Sequence, residues 1–320
     1  MVLPGSVPSR VPAHLKAGRV PDIRANGLSL HYESMGQEDH PAIVLIMGLS
    51  MQLIMWPDAL CERLAAGGYR VIRFDNRDVG LSSHLDHLGV PSIAVQFLKY
   101  LVRLPVRAPY LIDDMARDTA GLIDALGLRR PHIVGASMGG MIAQNLAAQW
   151  PDKVASLTSI MSTTGRRSLP QPSWKTRRAL LQPAAKPGDV EGAIQRMMRV
   201  LRVIGSRSLP VDPAALRELC ERHVRRSNYP SGGARQLLAV AASGDRTAVV
   251  RRIRAPALVI HGDEDPLVPP TGGQETARVI AAGGGTAKLS IIAGMGHDFP
   301  VQVLPRIADE IAAHCSAAAA

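Results

Sequence analysis

The run Ala42-Ile43-Val44-Leu45-Ile46-Met47 is apolar at every position, so it cannot be the alternating strand of a sheet with one wet face. A continuous apolar run of this length reads as a strand covered on both sides, the situation in parallel sheets, where each strand needs a crossover to reach the next. The chain supplies those crossovers in order. A helical pattern over residues 56–66, opened by Pro57 and stopped by Gly67-Gly68, precedes a strand-like stretch at 70–75. A helix at 111–126, a strand at 132–135, a helix at 138–149 ended before Pro151 and a strand at 154–160 follow. The alternation resumes with a strand at 257–260, a helix at 274–282, a strand at 287–292 and a helix at 303–314. This pattern predicts an α/β fold with a mostly parallel, doubly wound sheet.

Two stretches interrupt it. Residues 163–248 hold helical patterns punctuated by Pro170, Pro172, Pro183, Pro187, Pro210 and Pro213, with no strong strand run, and read as a helical insertion between two sheet strands. The division expected is therefore an irregular arm at 1–24, a core at 25–162 and 249–320, and the insertion at 163–248. Ordered structure is expected from the strand-like stretch at residue 28. The second interruption lies at 83–109, where residues 93–104 are apolar except for Gln96, Lys99 and Arg103. A mostly buried helix is expected there, with a pocket mouth or a membrane surface as the alternative.

Charge is uneven. Of the 37 basic residues 31 are Arg, and residues 160–255 hold 19 basic and 6 acidic residues, a net of +13 that leaves −3 for the remainder. A basic lobe invites a nucleic-acid reading, but aromatics make up only 3% of the chain and leave little for bases to stack on, so no nucleic-acid partner is expected. Cys61, Cys220 and Cys315 are odd in number and lack CxxC or Cys/His metal spacing, which reads as free thiols in a reducing compartment with no metal site. No apolar run approaches the roughly 18 to 20 residues of a spanning helix. Pro4, Pro8 and Pro12 interrupt the place where a signal peptide would need an unbroken apolar stretch. The expected location is cytoplasmic, without integral membrane segments.

The stretch with most chemistry is Gly135-Ala136-Ser137-Met138-Gly139-Gly140, set between a strand and a helix. A serine on so tight a turn needs glycines two residues to either side, because a Cβ there would clash, and the helix N-terminus leaves a free N–H beside the serine oxygen. A serine hydroxyl is a weak nucleophile, so this reading requires a base and an acid that orients it, in the chain order serine, acid, histidine. His297, in Gly294-Met295-Gly296-His297 after the last strand, is the expected base, in a flexible loop where the imidazole can swing over the site; His314 sits in a terminal helix. His132 and His261 read as core or surface residues. Asp263, Glu264 and Asp265 compete for the acid. Asp265, fixed by Pro266 at the far side of the turn, is chosen, and the other two read as solvated turn residues. An oxyanion hole needs two N–H donors, and Leu49, after Gly48, and Met138 are the candidates.

The elbow, Asp75-Asn76-Arg77-Asp78-Val79-Gly80-Leu81-Ser82, His261-Gly262-Asp263-Glu264-Asp265-Pro266 and Gly296-His297 together resemble the α/β-hydrolase superfamily over about residues 25–315, the insertion excepted. Within it, Met47-Gly48-Leu49-Ser50 followed by Trp56-Pro57, and Arg73-Phe74-Asp75-Asn76-Arg77-Asp78, resemble the aclacinomycin methylesterase-like carboxylesterases. Many members carry His-Gly where this chain has Met47-Gly48, a departure that leaves the backbone donor intact. The resemblance implies that the insertion is a cap over the nucleophile. It further implies a serine carboxylesterase that works through an acyl-enzyme without a cofactor. The serine at the elbow argues against dehalogenases and epoxide hydrolases, which carry aspartate there. A lactonase, a carbon-carbon bond hydrolase or a cofactor-free perhydrolase would use the same triad, and a hydrolase-like binding protein would have a broken one. Met51, Met55, Trp56 and Met141 lie near the expected pocket and suggest a medium-sized apolar acyl group on a small-molecule ester. The basic lobe would draw anionic substrates, against the plainer alternative of a solvated Arg-rich surface.

Overall fold

The computed structural model describes residues 22–180 and 182–319. In chain order the first half comprises β1 (Asp22–Ala25), β2 (Leu28–Met35), β3 (Ala42–Ile46), α1 (Asp58–Ala66), β4 (Arg70–Phe74), α2 (Ile93–Leu101), α3 (Ile112–Ala125), β5 (His132–Ala136), α4 (Met138–Gln149) and β6 (Leu157–Ile160). Next come α5 (Trp174–Leu180), α6 (Val190–Ile204), α7 (Pro213–Arg226), α8 (Pro230–Ser243) and α9 (Thr247–Val250). The chain then completes β7 (Ala257–Gly262), α10 (Thr271–Ala282), β8 (Ala287–Ile292) and α11 (Leu304–Ala319).

The strands form one sheet in the order β1-β2-β4-β3-β5-β6-β7-β8. β1 and β2 are antiparallel to their neighbours and all pairs from β4 to β8 are parallel. From β3 the chain first fills the β4 side and then returns to β5 on the other. The ends of β3 and β5 therefore flank a topological switch point, the crevice where open α/β sheets bind ligands. Apolar side chains of β3 alternate between two cores, Val44 and Ile46 packing with α3 and α4, and Ile43 and Leu45 with α1 and α11. That is why its sequence has no polar position.

Three expectations are corrected. The arm was expected to reach residue 24, but Asp22–Ala25 is an edge strand paired with β2; residues 1–21 lie outside the described residues. The helix at 93–101 is not mostly buried: Gln96 is its only buried residue, while Val95, Leu98 and Leu101 are 51%, 61% and 53% exposed. Of the polar stripe only Gln96 turns inward, where its side-chain oxygen accepts the Arg107 N–H at 2.8 Å and holds the returning chain, while Arg103 is exposed. The loop carrying His297 is tied at several points, as described below.

No strand interrupts the helices between β6 and β7 among the described residues. Asp189 caps α6 by accepting from Gly192 N, and Asp212 caps α7 with Pro213 in its first turn. Ile194, Met197 and Met198 of α6 meet Leu216, Cys220 and Val224 of α7 in a small separate core, against which Met51 and Met55 pack. No helix among the described residues is long and apolar enough to cross a membrane.

Candidate active site

Ser137 sits between β5 and α4 with φ +57° and ψ −118°, a backbone conformation that L-residues rarely adopt. The turn is that tight because its neighbours lack side chains. A Cβ on Gly135 would lie 2.1 Å from Gly139 O, and one on Gly139 would lie 1.9 Å from Ile46 O. Gly48 presses against the serine from the other strand end, where a Cβ would meet Ser137 Cβ at 3.2 Å.

His297 Nε2 lies 2.9 Å from Ser137 Oγ, and His297 Nδ1 lies 2.7 Å from Asp265 Oδ2. Asp265 Oδ1 accepts the N–H groups of Leu267 and Val268 at 2.9 and 2.8 Å, so this carboxylate is held at both oxygens. Burial would raise the Asp265 pKa, but the charge of His297 and the hydrogen bonds from His261 and His297 outweigh it and bring it down to about 2. An ionised carboxylate only accepts, so Nδ1 of His297 carries the proton and Nε2 is free to accept from the Ser137 hydroxyl. His261, read from sequence as a core or surface residue, is wholly buried with Nε2 2.8 Å from Val268 O and 3.4 Å from Asp265 Oδ2.

The His297 loop is fixed by the end of α6. Its own N–H donates to Ile204 O at 2.8 Å, Gly296 N donates to Ser206 Oγ at 2.7 Å, and Asp298 accepts from Ser206 N and Oγ. A Cβ on Gly296 would come within 2.5 Å of the Gly205-Ser206 backbone. The neighbouring acids are not idle turn residues either. Asp263 accepts from Gly294 N at 2.7 Å, and Glu264 accepts from the backbone N–H groups of Arg207 and Ser208.

The N–H groups of Leu49 and Met138 donate to no backbone carbonyl among the described residues, and both belong to the segments that flank Ser137. The Gly48–Met51 turn is closed by Met51 N donating to Gly48 O at 3.2 Å, with Ser50 at φ +60°. Gln236 of α8 holds it there: its Oε1 accepts Ser50 N–H and its Nε2 donates to Arg77 O, both at 2.7 Å, and the side chain is completely buried. Close approach explains the glycines in the first turn of α8. A Cβ on Gly232 would lie 1.9 Å from Asp78 O, and one on Gly233 2.3 Å from Ser50 Oγ.

The 75–82 motif anchors the inserted helices. Asp75 accepts from Leu53 N, Leu81 N and Arg226, at 2.7, 2.9 and 2.7 Å. Asp78 receives a two-pronged Arg235 guanidinium at 2.8 Å on each oxygen, together with Leu85 N and the Tyr110 hydroxyl. Part of the lobe's positive charge is thus committed to carboxylates of the core, Arg166 with Glu275 and Arg222 with Asp58 adding to the set. Neither Gln236 nor these arginines was singled out from sequence; the opposite charge of lobe and remainder was the one available signal.

Ser137 and His297 open into a cavity of about 420 Å³ lined by Leu49, Met51, Met55, Met161 and Leu216. Of the four residues expected at the substrate, Met51 and Met55 are there. Trp56 is not: it is fully buried and packs on Phe299 with ring centroids 5.2 Å apart. Met141 lines a different cavity.

A family model for the alpha/beta hydrolase fold matches residues 41–301, and the chain belongs to that family. Among curated proteins it is similar to the rhodomycin D methylesterases of Streptomyces sp. (strain C5) and Streptomyces peucetius. It is 27% and 28% identical to them over 92% of this chain and 98% of each relative. Its fold is like that of the enol-lactonase from Burkholderia xenovorans LB400, with a TM-score of 0.70 and 24% identity over 92% of this chain and all of that one.

Proposed function

We propose that this hydrolase is a serine carboxylesterase in which Ser137 attacks an ester carbonyl, His297 takes the serine proton and Asp265 holds the imidazole. The observation that carries the reading is the continuous chain of contacts from Ser137 Oγ through His297 to Asp265, at 2.9 and 2.7 Å, on a strained elbow at the mouth of an apolar cavity. The alkoxide that develops on the carbonyl would be met by Leu49 N–H and Met138 N–H. Collapse of the tetrahedral intermediate expels the alcohol, which takes its proton from His297, and water then releases the acyl group by the reverse use of the same base. The methylesterase names of the curated relatives support ester cleavage. In this reading the helices at 163–248 form a cap that also sets the positions of the oxyanion turn and the histidine loop.

The test is mass spectrometry after fluorophosphonate treatment, beside hydrolysis of short-to-medium p-nitrophenyl esters, for wild type and Ser137→Ala. One adduct, absent from the variant together with turnover, is expected. A labelled serine without ester turnover would move the assignment to lactone or carbon-carbon bond hydrolysis, and full activity in Ser137→Ala would end it.

A further inference from the structure

A second cavity, of about 330 Å³, shares only Leu180 and Leu267 with the one that holds Ser137. Its volume falls in the range of small-molecule sites. Ile93, Phe97 and Tyr100 of α2 form one wall, and Leu237, Leu238 and Ala241 of α8 another. Against this apolar surface stand Arg166, Arg167, Arg177 and Arg246, and no Asp or Glu lines the cavity among the described residues.

Among the described residues only Arg166 has a carboxylate partner, Glu275. Arg167 lies over the Tyr100 ring at 5.6 Å, Arg177 donates to Pro172 O, and Arg246 donates to Met141 O, Gln144 Oε1 and Thr163 O. Arg167 is exposed and Arg177 half-buried, so both keep much of their hydration, but neither has a counter-charge from the protein, and an anion placed beside them offsets their mutual repulsion. The outer side of α2 adds an apolar approach, since Leu98 and Leu101 are exposed on the helix whose Ile93, Gln96, Phe97 and Tyr100 line the cavity.

We propose that this second cavity is a binding site for an amphipathic organic anion, with an apolar body between α2 and α8 and a carboxylate or equivalent anionic head at Arg167 and Arg177. The head gains charge-assisted hydrogen bonds from guanidinium groups that no protein carboxylate occupies. The body gains the apolar burial that α2, with its inward Phe97 and Tyr100, provides. The site needs no reaction at Ser137, so its fate is separable from the esterase reading.

Calorimetric titration of the full chain with octanoate and with 1-octanol tests it. Octanoate is expected to bind one to one and at least about tenfold more tightly than the alcohol, with each methylene from hexanoate to octanoate tightening binding about fourfold. Arg167→Met with Arg177→Met should abolish the preference for the acid while leaving 1-octanol binding in place. Ala241→Trp, which fills the cavity, should abolish binding of both ligands. Equal affinity for acid and alcohol in the wild type, no octanoate binding, or octanoate binding unchanged in Ala241→Trp would each overturn the proposal.

Discussion

Replacing Gln236 by leucine removes the two hydrogen bonds that hold the Gly48–Met51 turn, the turn proposed to carry an oxyanion donor, while leaving Ser137, His297 and Asp265 chemically intact. Ser50 N–H and Arg77 O each lose a 2.7 Å partner at a completely buried side chain. A buried polar group left without a partner costs about 1 to 3 kcal/mol, so for the two groups a stability loss of about 2 to 6 kcal/mol is expected in urea unfolding. The effect on turnover should be larger than that loss suggests. Ser50 keeps its φ of +60° only while held, and once it relaxes, Leu49 N–H turns away from the carbonyl oxygen. Loss of one such donor reduces turnover on the order of 100- to 1000-fold. Because the donor acts on charge that develops during reaction, kcat should fall on the order of 100-fold while KM stays within about threefold. Gln236→Glu, which keeps an oxygen for Ser50 N–H, should give an intermediate kcat. The assay is steady-state ester hydrolysis on protein shown by circular dichroism to be folded. A folded Gln236→Leu enzyme with kcat within threefold of wild type would refute the reasoning, because Leu49 would then need no help from α8.

Other outcomes follow from the same contacts. Asp265→Asn should lower kcat on the order of 10⁴-fold by loss of the histidine tautomer. Its pKa is held down to about 2, so the carboxylate stabilises the fold fully above the unfolded value near 3.9 and that contribution fades as pH falls towards 2. The stability gap between wild type and Asp265→Asn should accordingly be flat from pH 7 to 5 and shrink below about 4; a gap unchanged at pH 2.5 would contradict this. Arg235→Met leaves Asp78 charged and fully buried, and should cost about 3 to 5 kcal/mol in urea unfolding, much of it regained when Asp78→Asn is added. Burial pushes the thiols of Cys61, Cys220 and Cys315 up to about 12, 11 and 12. Ellman's reagent should therefore find no thiol in the native protein and three after denaturation in guanidinium.

The central strands were legible because burial on both faces thins out polar residues: β3 has none, and β5 and β7 have one histidine each. Ser137, Asp265 and His297, which the structure brings together, were legible because each lies at a strand end in a short local pattern. β1 escaped notice because Asp22–Ala25 is too short for a period of two to show and only one of its four residues is buried. The exposure of α2 was not legible because composition alone gives which residues share a face, not how much of that face a neighbour covers; of its polar stripe only Gln96 turns inward, to Arg107. Trp56 and Met141 were misplaced because nearness in sequence says nothing of which side of a wall a side chain occupies. Gln236, Arg226 and Arg235 were invisible because their partners lie 186, 151 and 157 residues away. Proteins read such contacts in three dimensions, and no window along the chain contains them.

The distribution of the site along the chain has a consequence for how the protein is born. Ser137 and His297 are 160 residues apart, a span that a ribosome adding about 5 to 20 residues per second takes about 8 to 32 s to cross. Early in that interval the elbow has emerged, but β7, β8 and the histidine loop have not. The sheet at that stage ends at β6 with an open edge, a place where a neighbouring nascent chain can pair. The helices at 174–243 emerge next and bring Arg226, Arg235 and Gln236 to the exposed Asp75, Asp78 and Ser50. The contact between Ser137 and His297 therefore forms only after β8 has emerged, long after the elbow that carries the serine is made.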